Sequence, residues 1–392
     1  MEPRKAIPHS SAAPSAKTFA PARDPSDACG MDIAIVGLPG AGKTSLFNAL
    51  TRGEAEVGAY SSRSEPNLGV AHVADDRLDR LAAWAGSKRV TPVELRLADY
   101  PASFDASGID RQRLQELAQM DALVLVARAF QNPAVPAPEG GVDADRDIET
   151  MQLELTYADL ALIERRLERI EPEIRSLSAA ERGPLEQDRA LLQRLREALE
   201  EGGALRSLDL GEGERRLLAS YQFATRRPLL ILVNVDEDEL PRLEEVEAEY
   251  AARHAAPGVA VVALSARIEA ELAQMEPDEA AAFRGELGLP DSSPLERVIQ
   301  ETYDLLGVLT FLTASDREAR AWTLPRGGTA LDAAGRIHSD MERGFIRAEV
   351  ARWDELLEAG SEAQLRRSGR LRTEGRDYVV QDGDVVHVLF NV

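Results

Sequence analysis

The stretch Gly37-Leu-Pro-Gly-Ala-Gly-Lys-Thr44 decides the fold of this 392-residue chain. It matches the phosphate-loop pattern GxxxxGK[ST] at every fixed position. The apolar run 31–37 before it suits a buried strand, and Ser45–Leu50 after it suits a helix. Glycine-rich backbone at a helix N-terminus presents N–H groups that can cradle phosphate. The spacing therefore predicts a strand, a loop and a helix that together bind phosphate.

Two side chains of this loop have chemistry that suits a bound nucleotide. Lys43 can bridge the β- and γ-phosphates, and the Thr44 hydroxyl can ligate Mg²⁺. Only four of the 46 basic residues are lysines, which makes a lysine at this position informative. The predicted phosphate-binding residues are Gly37, Pro39, Gly40, Ala41, Gly42, Lys43, Thr44 and Ser45.

Further short apolar runs outline a sheet. They lie at 93–97, 122–127, 229–234 and 259–264, and helical stretches separate them. This alternation predicts an α/β fold with a largely parallel sheet. Between the runs at 122–127 and 229–234, apolar residues repeat at near-heptad spacing from Leu153 to Leu177. A break at 178–184 and a second run from Leu185 to Leu199 predict an inserted antiparallel helical hairpin. Its charged outer faces suit either a solvated surface or a partner-binding arm.

The pattern of apolar residues changes again after about residue 305. Alternating runs at 309–313, 321–324, 378–380 and 385–391, with one helix at 330–341, predict a small α+β domain. The predicted organisation is a disordered tail at 1–30, a nucleotide-binding domain at 31–142 and 222–304, the helical hairpin at 143–221 and a C-terminal domain at 305–392. Met31 directly precedes the first strand, so the tail is either a natural extension or the result of a misassigned start.

Composition restricts the class of function. Sixty-eight acidic and 46 basic residues give a net charge of −22, which argues against nonspecific binding of nucleic acid, and no DNA partner is expected. The single cysteine, Cys29, excludes an intramolecular disulfide and a cysteine zinc site. The five histidines show no metal-ligand spacing. The longest apolar run, 228–235, is too short to span a membrane, and residues 1–30 lack a signal-peptide core. A cytoplasmic protein without a membrane partner is expected.

Longer strings extend the match well beyond the loop. Residues 31–392 resemble the YchF/Obg-like ATPase family, a branch of the translation-factor-related P-loop NTPases, as a divergent member. In the first two parts of the chain the resemblance rests on 35–39, 46–51, 65–70, 147–150, 154–155 and 158–160. In the last part it rests on 320–325, 337–350 and 377–384, which look like the family's TGS-type β-grasp domain. The resemblance implies ATP or GTP binding with Mg²⁺, hydrolysis and a ribosomal partner.

The base-recognition loop differs from that of guanine-specific relatives. Those proteins use Asn-Lys-x-Asp, in which the Asp accepts two hydrogen bonds from guanine, whereas this chain has Asn234-Val-Asp-Glu237. Adenine presents an acceptor at N1, which a guanine-type carboxylate would repel. The loop and the resemblance together predict that ATP is preferred over GTP. The predicted base-side residues are Asn234, Val235, Glu237, Ser265 and Ala266.

The switch II motif of the family is altered here. It reads Asp-Ile-Ala-Gly-Leu before a glycine-rich mobile loop, but this chain has Asp99-Tyr-Pro-Ala-Ser103 and lacks most of that loop. Asp99 follows the run at 93–97 and can still hold Mg²⁺ through water. Thr44 and Asp99 are therefore the predicted metal residues. Pro101 removes a backbone donor, and Ala102 lacks the conformational freedom of glycine.

The residues that activate water also depart from the family. The family's water-positioning His falls on Leu125, which cannot orient water, so no catalytic residue is assigned. The family's switch I threonine falls in the altered segment 60–65, where either Ser62 or Ser64 substitutes for it or Arg63 occupies the position. These losses lie on the water-activating side and none on the phosphate-binding side. They predict weak intrinsic hydrolysis, unless another residue of the chain or of a partner positions the water.

Three functions are compatible with these features. The first is a nucleotide-dependent switch that binds ATP or ADP and associates with the ribosome or its RNA. The second is a slow but genuine ATPase. The third is an adaptor that works through the hairpin and the C-terminal domain without nucleotide. The basic stretch Arg366–Arg372 suits an RNA contact or, alternatively, an exposed loop or helix end.

Overall fold

The computed structural model describes residues 30–53, 65–100, 109, 111–133, 135, 140–178, 180–218, 220–287, 289 and 293–391. Three sequence-based predictions lie outside these residues. They concern the tail up to Cys29, the switch I residues 60–64 and the switch II residues 101–103.

The described residues form two sheets with helices between and around them. The strands are β1 (Gly30–Val36), β2 (Asn67–Val73), β3 (Arg89–Thr91), β4 (Val93–Asp99), β5 (Ala122–Ala129), β6 (Leu229–Val235), β7 (Val259–Leu264), β8 (Val308–Ala314), β9 (Glu318–Pro325), β10 (Phe345–Arg352), β11 (Arg372–Glu374) and β12 (Asp384–Phe390). The helices are α1 (Lys43–Thr51), α2 (Asp76–Ala85), α3 (Arg111–Leu117), α4 (Ala144–Ser176), α5 (Gly183–Glu200), α6 (Glu212–Leu218), α7 (Leu243–His254), α8 (Ala266–Leu272), α9 (Pro277–Glu286), α10 (Pro294–Leu305), α11 (Ala330–Ile337), α12 (Ser339–Arg343), α13 (Trp353–Ala359) and α14 (Glu362–Arg367).

The first sheet has the strand order β2-β4-β1-β5-β6-β7. Every neighbouring pair is parallel except β2 with β4. β5 and β6 are buried along nearly their whole length, which explains their continuous apolar sequences. The predicted α/β sheet is confirmed. β2 was not predicted because it is an edge strand whose apolar residues Leu68 and Val70 are exposed.

Successive residues of the first sheet's strands enter opposite cores. Ile33 and Ile35 of β1 lie in a cluster with side chains of α1, α2 and α10. Ala34 and Val36 lie in a second cluster with side chains of α3, α4 and α7. This alternation follows from the two-residue period of a strand. Because β4, β1, β5, β6 and β7 run parallel, their carboxyl ends meet at one edge of the sheet, which is where open α/β sheets bind ligands.

Helices α4 and α5 form the predicted hairpin, called the arm below. The arm is inserted between β5 and β6. Ile163, Ile170 and Ile174 of α4 pack in one cluster with Leu192 and Leu195 of α5. The short connection between the two helices places them antiparallel, as predicted.

The predicted start of the arm's apolar seam is wrong. Leu153 and Tyr157 are exposed, at 52% and 63%, instead of packing between the helices. The first turns of α4 pack on the sheet through Ile148, Met151 and Leu155, which lie in the core cluster of β5. The helix therefore presents a different face to its neighbour there, and its seam with α5 begins only at about Leu160.

A buried carboxylate fastens the arm to the sheet. Asp159 of α4 is 3% exposed and accepts hydrogen bonds from the backbone N–H groups of Ala224 (3.0 Å) and Thr225 (2.8 Å). It also accepts one from the Thr225 hydroxyl at 2.6 Å. These donors lie in the segment that leads from the arm back into β6. Asp159 thus satisfies buried donors that no ladder or helix uses.

Replacement of Asp159 by Ala is expected to lower the free energy of unfolding by about 3–5 kcal/mol, because it strands three buried donors. Thermal unfolding followed by circular dichroism measures the effect. Asp145→Ala is the matched control, since Asp145 lies on the same helix but is 39% exposed in its ion pair with Arg253. Its expected loss is below about 1 kcal/mol. Equal losses in the two variants would contradict this account of Asp159.

The second sheet has the strand order β11-β10-β12-β8-β9-β3. Five of its strands come from the C-terminal part of the chain, as the family's β-grasp domain implies. The sixth, β3, belongs to the N-terminal part and pairs in parallel with β9, with Val90 opposite Ala319. The three residues of β3 do not reveal that this strand joins the second sheet, because its pairing partner lies more than 200 residues away in sequence.

Three details of the C-terminal part differ from the sequence-based prediction. The predicted strand at 378–380 provides only a single bridge, from Val379 to Thr329. The predicted helix at 330–341 is split into α11 and α12 at His338, whose backbone is extended (φ −164°, ψ 140°). The His338 imidazole Nδ1 accepts a hydrogen bond from the Asp340 N–H, so it caps α12. β10 was not predicted, since its burial pattern does not alternate.

Among the described residues, no helix has both the length and the apolar composition that crossing a membrane requires.

Candidate functional site

The predicted phosphate loop joins β1 to α1 at the carboxyl edge of the first sheet. Gly42 immediately precedes α1 with φ +97°, and a Cβ there would overlap the Asn234 amide. Gly37 has φ +147°, and a Cβ there would overlap the Val126 carbonyl oxygen. At both positions only glycine fits without displacement of a neighbour. The residues at the start of α1, from Gly42 to Ser45, line an open cleft.

Lys43 is folded back over the loop. Its ammonium group donates hydrogen bonds to the carbonyl oxygens of Gly37 (2.9 Å) and Leu38 (3.0 Å), and the residue is 4% exposed. Burial lowers the pKa of Lys43 to about 8, although the negative charge of Asp99 opposes this shift. The side chain lines the cleft and is preorganised to meet an anion there.

The lowered pKa of Lys43 predicts a pH-dependent affinity for ATP. Below about pH 8 the ammonium is charged in the free protein, and above it the group is neutral. Bound phosphate favours the charged form, so binding above pH 8 must first add a proton. The ATP affinity should therefore be flat below pH 8 and fall up to about tenfold per pH unit above it.

Calorimetric titration with Mg²⁺ and ATP between pH 7 and 9.5 measures this dependence. Lys43→Ala is the control, because it removes the titrating group and should give a flat profile over the same range. A wild-type affinity that is constant to pH 9.5 would contradict the assignment of Lys43 to the phosphates.

The two predicted metal residues are in contact. The Thr44 hydroxyl donates a hydrogen bond of 2.8 Å to Asp99 Oδ2, and Asp99 is fully buried. Asn67 donates a second hydrogen bond, of 2.9 Å, to the same oxygen. Asp99 Oδ1 is buried and has no hydrogen-bond partner among the described residues. A hydroxyl and an unsatisfied carboxylate at the base of a phosphate loop fit a magnesium ion.

Asn67 was not among the predicted site residues. It is the first residue of β2 and follows the predicted switch I segment, so it connects that segment to Asp99. The pairing of Asn67 with Asp99 in the antiparallel β2–β4 ladder puts their side chains side by side. This register is tertiary information that the sequence pattern did not contain.

Asn234 connects the phosphate loop to the base-side loop. Its amide group donates to the Ala41 carbonyl oxygen (2.8 Å), and its Oδ1 accepts from the Ala266 N–H (2.9 Å). The residue is 4% exposed. The structure therefore gives the predicted base-side residue Asn234 a bridging position, with one donor and one acceptor site already used by the protein.

Glu237 lies at the mouth of the same cleft. It begins a short 3₁₀ helix, and its carboxylate lies 3.3 Å from the guanidinium Nη1 of Arg267. Val235, Ser265 and Arg267 also line the cleft. Arg267 was not predicted, although it directly follows the predicted base-side pair of Ser265 and Ala266.

The cleft has a volume of about 620 Å³, a size that suits a nucleotide. Most predicted phosphate- and base-side residues line it. Gly37, Ala41 and Ala266 do not, but each is hydrogen-bonded to Lys43 or Asn234, which do. One wall was missed by the sequence analysis and consists of Phe130, Gln131, Asn132, Pro133 and Val135. Its position in the sequence could have identified it, because it directly follows β5 at the carboxyl edge of the sheet.

Leu125 lies away from the cleft. It is 1% exposed on β5 and belongs to the core cluster that contains Ala34, Val36 and Ala127. Its side chain thus faces α3 and α4, and the residue is not among those that line the cleft. The described residues also contain no group of three or more His, Cys, Asp or Glu that could hold a metal ion.

The fold and the cleft define a class. A parallel sheet with a glycine-rich loop before α1, Lys43 over that loop and a Thr44–Asp99 pair beneath it make this a P-loop nucleotide-binding domain of the GTPase type. Residues 32–164 match a family model described as 50S ribosome-binding GTPase. Residues 308–391 match the YchF-GTPase C-terminal model, described as a protein of unknown function (DUF933).

Curated relatives define the family. The chain is 37% identical over 365 residues to the "Ribosome-binding ATPase YchF" of Bacillus subtilis, which covers 91% of this chain and 98% of that protein. It is 36% identical to the protein of the same name from Escherichia coli O157:H7, with 93% and 100% covered. The structure of the Schizosaccharomyces pombe YchF GTPase superimposes with a TM-score of 0.79 at 26% identity, over 92% of this chain and 97% of that one. The chain belongs to the YchF family.

Proposed function

We propose that this protein binds a purine nucleotide with Mg²⁺, prefers ATP to GTP and acts as a ribosome-associated switch with little intrinsic hydrolysis. The observation that carries the proposal is the convergence of Lys43, Thr44 and Asp99 at one end of a cleft of nucleotide size. Leu125 is buried in an apolar core outside that cleft, which supports the proposal of little intrinsic hydrolysis.

The phosphate end of the cleft supports nucleotide and magnesium binding. Thr44 and Asp99 would hold the ion, and Lys43 would meet the phosphates. A bound Mg²⁺ would neutralise negative charge on the phosphate oxygens. The residues present supply oxygen ligands for the ion and a charged nitrogen for the anion, so both partners have matching groups.

The base end of the cleft supports a preference for ATP. The Glu237 carboxylate is engaged by Arg267, and its geometry does not reproduce the short Asp that guanine-specific relatives use. Asn234 retains one amide hydrogen and one lone pair beyond its bonds to the protein, which suits the mixed donor and acceptor edge of adenine.

The water-activating side supports slow hydrolysis. Leu125 offers no polar atom, and its neighbours in the core cluster are apolar. Water positioning and transition-state stabilisation together supply several powers of ten in rate in phosphoryl transfer. Their loss leaves ground-state binding of the nucleotide by the loop unaffected. The protein can therefore keep its nucleotide affinity while its hydrolysis rate falls.

Association with the ribosome is proposed from the names of the relatives, which are called ribosome-binding. The basic stretch at 366–372 gives less support than its sequence suggests. Arg366 is paired with Glu349, Arg370 with Glu358 and Arg372 with Asp384. These ion pairs neutralise much of the local positive charge. The arm and the rest of the C-terminal part are therefore the better candidates for the ribosomal contact.

Phosphate release from ATP and from GTP in the presence of Mg²⁺ tests the proposal, with Lys43→Ala as the blank. We expect tight ATP binding by calorimetry together with turnover indistinguishable from the blank. Turnover that Lys43→Ala abolishes would establish the alternative, a slow ATPase whose water is positioned by another group.

Sedimentation with ribosomes separates the switch from the adaptor. A switch should co-sediment to different extents with ATP and with ADP, and Lys43→Ala should remove that difference. Equal sedimentation with and without nucleotide, unchanged in the variant, would favour the nucleotide-independent adaptor.

A further inference from the structure

The largest fully buried side chain in the described part of the molecule is a charged one. Arg128 is the penultimate residue of β5 and is only 2% exposed. The cleft wall formed by residues 130–133 and 135, called the wall segment below, begins two residues after it. A buried arginine needs partners for its donors, because an unpaired guanidinium in a dry interior is strongly unfavourable.

Its partners are the two ends of the wall segment. Arg128 Nε donates to the Phe130 carbonyl oxygen, and Nη2 donates to the Val135 carbonyl oxygen, each at 3.1 Å. The guanidinium carbon also lies 4.8 Å from the centroid of the Phe130 ring. One rigid group therefore fixes both the start and the end of the segment that faces the nucleotide cleft.

The wall segment in turn rests on the phosphate loop. A Cβ on Gly40 would lie 2.6 Å from Val135 Cγ1 and 3.6 Å from Arg128 Nη1, so the loop, the wall and the guanidinium are in close contact. Phe130, Val135 and Gly40 all line the cleft. A shift of the guanidinium would move the wall relative to the loop.

Burial lowers the pKa of Arg128, and the negative charge of Asp147, a buried residue in the first turn of α4, opposes this shift. Asp147 Oδ1 accepts from Arg146 Nη2 at 2.9 Å, and its buried Oδ2 has no hydrogen-bond partner among the described residues. The bond from Arg146 thus holds the Asp147 carboxylate at the base of the arm.

We propose that Arg128 is a positioning residue for the base side of the nucleotide site. The proposal rests on the proposed function, because it assigns the wall residues 130–133 and 135 to the nucleoside part of a bound nucleotide.

Comparison of ATP with UTP tests the role of Arg128. Both ligands present the same phosphates to the loop, but they differ in the base that the wall would contact. In Arg128→Met we expect the affinity for ATP to fall 10- to 100-fold while that for UTP changes less than threefold. Arg128→Lys should be intermediate, because one ammonium cannot hold both carbonyl groups at the same angles.

The matched control is Arg206→Met. Arg206 is a partly buried arginine that also donates to a backbone carbonyl oxygen, that of Arg227, but it does not line the cleft. This variant should lose stability and keep the wild-type ratio of ATP to UTP affinity. Melting curves of all variants separate loss of fold from loss of the ratio.

An equal loss of ATP and UTP affinity in Arg128→Met would overturn the positioning role. Equal affinity of the wild type for ATP and UTP would overturn the assignment of the wall, whereas failure to bind either would overturn the proposed function itself.

Discussion

Lys43→Ala is expected to lower the affinity for Mg²⁺–ATP about 100- to 1,000-fold. Removal of one partner of a buried, hydrogen-bonded charge pair costs about 3–4 kcal/mol, and each 1.4 kcal/mol is a factor of ten. Among the described residues, the ammonium donates hydrogen bonds to the Gly37 and Leu38 carbonyl oxygens at 2.9 and 3.0 Å. Neither is a countercharge, so the group is available to phosphate. Isothermal titration with ATP measures the loss.

The control for this prediction is Lys88→Ala. Lys88 is exposed and does not line the cleft, so its replacement makes the same change in net charge without removing a phosphate contact. Its ATP affinity should match that of the wild type. The melting temperature of Lys43→Ala without nucleotide should not fall, because the buried ammonium itself is unfavourable. A less than threefold loss of affinity would be incompatible with the proposed role of Lys43.

Asn234→Asp is expected to lower the free energy of unfolding by about 3–5 kcal/mol and to weaken ATP binding in parallel. The change is isosteric, but it replaces the amide donor to the Ala41 carbonyl oxygen with a carboxylate oxygen at 2.8 Å. Two acceptors then face each other in a buried place, and the phosphate loop loses its connection to the loop before α8. Thermal unfolding and ATP titration measure the two effects.

The pH dependence of this variant gives a second readout. Repulsion raises the pKa of the introduced carboxyl, so its destabilisation should shrink as the pH falls and the protonated group can again donate to Ala41. Gln119→Glu is the matched control, since it makes the same amide-to-carboxylate change at an exposed turn after α3. An equal and pH-independent effect in both variants would contradict the bridging role of Asn234.

These two predictions concern residues that the sequence identified by different routes. Lys43 follows from a local pattern, because the spacing of glycines and lysine in one loop already implies the phosphate chemistry. Asn234 was identified from its place in a motif, and its bonds to Ala41 and Ala266 were not foreseen. The bonds join segments that are about 190 and 30 residues apart, so no local pattern contains them.

The arm shows the same division in a single helix. Near-heptad spacing predicted that α4 pairs with α5, which is correct from about Leu160 onward. The same spacing placed Leu153 and Tyr157 in the seam, which is wrong. A helix with apolar residues on two faces can pack through either face at each point along its length. The first turns of α4 pack on the sheet and the later turns pack on α5, and the sequence alone does not show where one contact gives way to the other.

The sequence by itself determined the phosphate loop, the parallel sheet, the inserted hairpin and the C-terminal α+β unit, because each depends on local periodicity or on a motif of contiguous residues. Tertiary structure alone decided that Asn67 meets Asp99, that β3 joins the second sheet and that residues 130–133 and 135 form a wall of the cleft. It also decided that Arg128 is buried against that wall. These features arise where segments distant in sequence converge at a sheet edge, and their energies depend on distances that only the folded chain defines.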